Sequence, residues 1–294
     1  MRAVRRSAHL GARLYCKNLL HGKLRLIGLA IFLALFFLLH PRSSQVIGFS
    51  KYRCRRKLFE DATPRDYDDT LLKESRAYEA SSKFVNKINE ADREWVEPFS
   101  TLQGRFREIH THTKWVIEST KGEEIFVLEL GFGAGTNMLV VLQQMRRAHR
   151  GGHVWGVELT QGWVEHAKMK FKHPALHFVQ GDVTDARNVL RREHAAPHKF
   201  DFIFLADVWE HIPSYRLLHL WESISLLLQP EGTLYIHVPN EEKQKEEQRR
   251  GGGQFFEEVV RLDDIQKQAS CFGLILTHVS HEPEYDSYLL KLLG

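Results

Sequence analysis

The 294-residue chain has little with which to cross-link itself. Its three cysteines, Cys16, Cys54 and Cys271, stand far apart and form no C-x-x-C pair. That spacing points to neither a zinc site nor a disulfide framework. Acidic residues are missing from one end: none precedes Glu60, whereas 13 Lys and Arg do. From Glu60 onward 28 basic residues face 37 acidic ones, a balance of −9 hidden inside an overall +4. A basic tail on an acidic body argues against a nucleic-acid face on that body. Long apolar runs are scarce too. Residues 26–39 are apolar except for Gly28, and Pro41 follows. As a helix they reach roughly 21 Å, short of the ~30 Å of a bilayer's hydrocarbon.

Leu24 and a snorkelling Arg25 extend that segment to about residues 24–40. Three readings fit it: a membrane anchor, a secretory or organellar targeting signal, and a buried or interfacial helix. The cluster Lys51, Arg53, Arg55, Arg56 and Lys57 suits anionic head groups and equally a solvated linker. The expectation is a membrane-associated chain with a single-pass anchor, in the endomembrane system or mitochondria. Composition turns acidic and turn-like at 61–69. The expected organisation is therefore a basic segment with its anchor over 1–60, a helical linker or cap over 61–100, and the main domain over 101–294. Leu71, Tyr78, Val85 and Ile88 share one face of a predicted helix over 70–96. A second predicted helix over 101–119 carries Leu102, Phe106, Ile109, Trp115 and Ile117.

A strict alternation follows. Strands are predicted at 125–130, 153–158, 176–179, 200–206 and 233–238, with helices to 147 and over 161–171, 185–192 and 214–228. Near-continuous apolar strands separated by helices imply a parallel sheet covered on both faces. Right-handed crossovers make it doubly wound, with ligands beyond the carboxyl ends of the strands. Residues 241–250 are a charge run followed by three glycines, expected as a solvated, lid-like loop. A helix over 255–270 and strands at 273–279 and 285–292 complete the chain.

The first strand runs into VLELGFGAG, residues 127–135. Gly131, Gly133 and Gly135 let the chain turn sharply and let a ligand approach its backbone. A dinucleotide fingerprint requires a sixth-place glycine, where this chain has Thr136. E-x-G-x-G-x-G, with Glu129 two residues ahead of Gly131, resembles motif I of the class I S-adenosylmethionine-dependent methyltransferases. The resemblance extends over roughly 101–294 and implies a seven-stranded, mostly parallel Rossmann-like sheet ending in an antiparallel hairpin. It also implies S-adenosylmethionine as donor. Glu129 would then hold the turn or the donor's ammonium, and the three glycines would lie under its methionyl part and ribose. Glu158 would take the ribose hydroxyls; Asp182 and the backbone at Val183 would meet the adenine. Alternatively, Glu158 is an exposed strand-end residue and Asp182 forms a turn.

Strand four ends in ADVWEHI, residues 206–212, resembling the D-V-L-E-H-[VI] segment of ubiquinone-biosynthesis O-methyltransferases. There an E-x-x-E-H pattern is associated with a divalent metal. Here Asp207 replaces the first Glu, with Glu210 and His211 following and Ala206 at the donor site. Three roles fit Asp207, Glu210 and His211: ligands for Mg2+, a metal-free base centred on His211, or residues that only shape the loop. The resemblance implies methyl transfer to a small-molecule or lipid-like acceptor, preferably at oxygen. Rival readings are a protein or peptide methyltransferase and a non-catalytic, membrane-tethered scaffold that binds the donor. No N/D-P-P-Y-type motif follows strand four, which counts against amide and nucleobase N-methylation. Neither the acceptor nor an oligomeric state follows from these motifs.

Overall fold

The computed structural model describes residues 105–249 and 258–293. The expected anchor at 24–40, the helical cap at 61–100 and the glycine run at 251–253 lie outside the described residues. Among the described residues no helix is long and apolar enough to cross a membrane.

Helix α1 (Arg105–Ser119) leads into β1 (Glu124–Leu130), α2 (Thr136–Arg147), β2 (Gly151–Glu158), α3 (Gln161–Lys170) and β3 (Leu176–Gln180). Then come α4 (Ala186–Arg192), β4 (Phe200–Ala206), α5 (Leu217–Leu227), β5 (Leu228–Pro239), α6 (Glu241–Arg249), α7 (Leu262–Cys271), β6 (Leu274–His281) and β7 (Tyr285–Leu292). The seven strands form one sheet in the order β3-β2-β1-β4-β5-β7-β6. The first five pair in parallel, whereas β7 runs antiparallel to both β5 and β6. The order reverses between β1 and β4, and a doubly wound sheet opens a crevice at that point. This is the doubly wound, hairpin-ended sheet that the alternation predicts.

Strand period separates two apolar layers. On one face Ile125, Val127, Phe202, Phe204 and Tyr235 pack with Ile109, Val116, Met138 and Val141 from α1 and α2. On the other Leu128, Ile203, Leu234 and Ile236 pack with Val189, Leu220, Trp221, Ile224 and Ile265 from α4, α5 and α7. Trp221 is fully buried, edge-on to Trp209, and its indole N–H donates to Gln268 at 2.8 Å. Burying such a ring yields several kcal/mol of apolar transfer, about 25 cal/mol per Å2.

Three local expectations change, and one turn shows a conformation the sequence reading did not address. Trp115 is 48% exposed on α1, and Val116 takes the buried place beside Ile109 and Ile117. Residues 241–249 form a helix rather than a solvated loop. Asn240 caps it by accepting from the Lys243 N–H at 2.9 Å, Glu241 and Glu242 occupy its first turn, and Lys245 pairs with Glu241 at 2.7 Å. A cap, acidic residues at the positive end and an i,i+4 pair all favour a helix. In the turn before the main run of β5, Glu231 takes the left-handed conformation with φ 64° that glycine usually supplies. Cys271, buried at the end of α7, is disulfide-bonded. The wide cysteine spacing held no sign of that bond.

Gly152 opens β2 with φ 108°, and a Cβ there would lie 2.1 Å from the Ile125 carbonyl oxygen of the neighbouring strand. Gly152→Ala is expected to cost about 2–4 kcal/mol, because backbone rather than a flexible side chain must move. Urea unfolding of the variant measures this; a loss below ~0.5 kcal/mol would contradict the packing described.

Candidate donor site

The carboxyl end of β1 turns through Gly131, Phe132, Gly133, Ala134 and Gly135 into α2. The turn is pinned at both ends: Gly131 N–H donates to Val157 O at 2.8 Å, and Gly135 N–H donates to Phe132 O at 2.8 Å. Gly131 has φ 78°, and a Cβ on it would stand 2.4 Å from a Val208 methyl. Glycine here therefore lets the turn lie directly against the segment that leaves β4. Gly133, by contrast, faces open space: nothing lies within 4 Å of where its Cβ would be. Above that position a ligand can rest on bare backbone.

Two acidic residues hold the turn. Glu158, half-buried at the end of β2, accepts from Gly133 N–H at 3.0 Å and from Thr160 N–H at 2.9 Å. Burial pushes its pKa up, and the N–H groups of Thr160 and Gly133 pull against that. Glu129 is buried beneath the turn, 1% exposed. Its Oε1 accepts from the Asn137 amide at 3.0 Å, and its Oε2 has no hydrogen-bond partner. Burial raises its pKa well above the ordinary carboxylate range, the neighbouring Glu158 raises it further, and the Asn137 bond opposes this. A buried carboxylate oxygen left without a donor marks a place for a donor or cation to enter.

Asp182 follows β3 and caps a short 3-10 turn over Val183–Asp185, accepting from the Thr184 N–H and hydroxyl at 2.8 Å each. Arg216 donates to the second oxygen of Asp182 at 2.6 Å and to the Thr184 hydroxyl at 2.6 Å. The turn-forming role of Asp182 is thus present. Arg216 escaped the sequence reading, since an arginine at a helix start carries no signal of its own. Val183 and Ala206 are half-buried beside the two apolar layers.

The ADVWEHI segment corrects one expectation. Asp207 sends its carboxylate to His237, at 3.1 Å. Glu210 is 1% exposed, with Oε1 3.6 Å from His211 Nε2. Among the described residues no group of three or more His, Cys, Asp or Glu is arranged to hold a metal ion. Asp207, Glu210 and His211 therefore do not form a ligand set, and the Mg2+ reading is withdrawn. His237 was missed. Its sign in the sequence is a lone imidazole inside the apolar strand LYIHVP.

A family model described as a methyltransferase domain matches residues 127–232, from β1 to the turn within β5. The chain resembles a methyltransferase domain over those residues. It is 26% identical over 161 residues to a ubiquinone biosynthesis O-methyltransferase of Histophilus somni (strain 2336), covering 53% of this chain. The chain spans 63% of that relative's length. The fold recurs in solved structures. One is the putative methyltransferase bound to the Trm112 activator of Haloferax volcanii, with TM-score 0.50 and 17% identity, covering 76% of this chain and 97% of that one. Another is the DhpI–SAM–HEP complex, with TM-score 0.50 and 14% identity, covering 78% and 99%.

Glu129 gives the chain a pH signature. A carboxyl whose folded-state pKa is raised stabilises the fold below its ordinary value of 4.5, and that contribution is lost as pH rises through the raised value. Glu129→Gln keeps the amide-to-oxygen bond and cannot ionise. It is expected to raise stability at pH 8 by roughly 1 kcal/mol and to leave stability at pH 4 nearly unchanged. Urea unfolding at the two pH values tests this; equal effects at both would exclude Glu129 as the group responsible.

Proposed function

We propose that this chain transfers the methyl group of S-adenosylmethionine to a small-molecule or lipid-like acceptor, preferably at oxygen. The observation that carries the reading is the Glu158 carboxylate bonded to the open glycine turn, with buried Glu129 beneath it. The residues fit the donor. Glu158 offers acceptor oxygens for two ribose hydroxyls, and charged acceptors make strong hydrogen bonds. The Glu129 oxygen without a partner suits the donor's ammonium, bare backbone at Gly133 suits close approach, and the Asp182–Val183 turn suits the adenine edge. When bound, the donor supplies a methyl group on positively charged sulfur, open to in-line displacement by a nucleophile. The protein's part is to hold acceptor and donor in line and to take up the acceptor's proton. Candidates for that base are His211, Glu210 and Asp207, all on the segment that follows β4.

The apolar run at 26–39 and its basic flanks support a further part of this reading, a membrane-associated chain with a single-pass anchor near residues 24–40 and a membrane-proximal acceptor.

Calorimetric titration of the full chain in detergent micelles tests the donor site. S-adenosylmethionine and S-adenosylhomocysteine are expected to bind and NAD is not. Glu158→Ala is expected to weaken both sulfur ligands about 10- to 100-fold, the worth of one or two charge-assisted hydrogen bonds. A folded chain that binds neither sulfur ligand would sink the reading.

A further inference from the structure

Next to the candidate donor site lies a buried ionisable cluster that extends inward from Asp207. Asp207 leaves β4 in the left-handed conformation, with φ 56°. Strained backbone of this kind concentrates at working sites. Asp207 is held to His237 twice: its N–H donates to the His237 carbonyl at 2.9 Å, and its Oδ1 lies 3.1 Å from His237 Nδ1. The next residue, Val208, is the one against which Gly131 packs, so Asp207 adjoins the glycine turn.

His237 is fully buried, in register with Ala206 on the neighbouring strand. Its other nitrogen, Nε2, lies 3.6 Å from Glu108 Oε2. That is ion-pair range and about half an ångström beyond a hydrogen bond, a gap that ligand-free sites often close on binding. Glu108 comes from α1, is 8% exposed and accepts from the Ser287 hydroxyl at 3.0 Å. Ser287 in turn meets the Tyr235 hydroxyl at 3.1 Å. The His237 ring stacks on Tyr285, with centroids 4.7 Å apart. Glu108 and Tyr285 both line a cleft of about 450 Å3 between α1 and the β6–β7 turn.

We propose that Asp207, His237 and Glu108 form a proton relay that takes the acceptor's proton at the carboxyl end of β4 and delivers it to this cleft. The inference rests on the methyltransferase reading and narrows its choice of base to Asp207. The acceptor hydroxyl bonds to the methyl carbon, whose former bonding pair stays on sulfur, and the hydroxyl proton passes to the Asp207 carboxylate. Asp207 gives that proton to His237 Nδ1 while the Nε2 proton moves to Glu108, and Glu108 releases it to water in the cleft. Charge and protons balance, and both carboxylates return to their starting states. His237 is left with its proton on Nδ1 in place of Nε2. The starting tautomer is restored after product release, when the Nδ1 proton leaves through Asp207 to solvent and a proton from the cleft returns to Nε2 through Glu108. A buried imidazole between two carboxylates has little structural reason to exist, because apolar residues stabilise such a position equally well or better.

Several groups face His237. Asp207 comes from β4 and Glu108 from α1, with His112 of α1 3.9 Å from Glu108. Tyr235 comes from β5 and Tyr285 from β7; Lys243 of α6 donates to the Tyr285 hydroxyl at 2.8 Å, and His278 of β6 has its ring 5.6 Å from that of His112. Burial alone would lower the His237 pKa, but the Asp207 hydrogen bond and the charges of Asp207 and Glu108 outweigh it and the net direction is up.

The test needs no acceptor. In the full chain labelled with 15N-histidine, the His237 resonance is identified by its loss in His237→Gln. Should that variant not fold, the one resonance moved by both Asp207→Asn and Glu108→Gln identifies it. S-adenosylmethionine carries a positive sulfur that competes with His237 for the Asp207 carboxylate, and S-adenosylhomocysteine does not. The His237 titration midpoint is therefore expected about one unit lower with the first ligand than with the second. That difference should vanish in Asp207→Asn and persist in His211→Asn. Exchange of the His237 ring protons with water should slow about tenfold or more in Glu108→Gln. Equal midpoints with the two bound ligands, or exchange indifferent to Glu108, would overturn the relay while the donor site stands. Calorimetry showing that neither ligand binds would instead remove the methyltransferase reading, and the relay with it.

Discussion

The close approach of the glycine turn to the β4 segment is the contact on which the candidate donor site depends. A Cβ at Gly131 would overlap Val208, so the two strand ends meet only because that side chain is absent. The contact lies where the sheet order reverses between β1 and β4. There the flanking helices leave on opposite faces, and a ligand can lie across the strand ends. Glu158 then locks the turn from β2, and Glu129 supports it from below. Three strands thus contribute to one small volume, each through its carboxyl end.

The cost of the arrangement is concentrated in a few residues. Glu129 is a buried carboxylate with one oxygen left without a hydrogen-bond partner. Asp207 and Glu231 hold left-handed backbone without the freedom of glycine. The strain at Glu231 belongs to a turn inside β5, away from the strand ends. The strain at Asp207 lies beside the glycine turn, where its carboxylate meets His237.

Much of this was legible in the sequence, and the reasons differ from residue to residue. The alternation of apolar strands and helices reports burial on both sheet faces, and burial is local information repeated at every strand. Gly131, Gly133 and Glu129 were legible because a sharp turn between strand and helix needs its own residues in sequence. The helix at Glu241–Arg249 was not legible, because a charge run looks like a solvated loop until its cap at Asn240 and its ion pairs are counted together. Arg216 and His237 gave no sign of their partners, which lie 34 and 30 residues away in Asp182 and Asp207.

By itself, then, the sequence determined the doubly wound sheet, the place of the glycine turn and the acidic residues that end β1 and β2. These follow from periodicity and from backbone needs that act over a few residues. The tertiary structure alone decided which ionisable groups meet. Parallel pairing of β4 with β5 set His237 beside Ala206, and the packing of α1 brought Glu108 to its far nitrogen. Charge interactions act through space over a few ångströms, and only folding brings residues so far apart in the chain within that range.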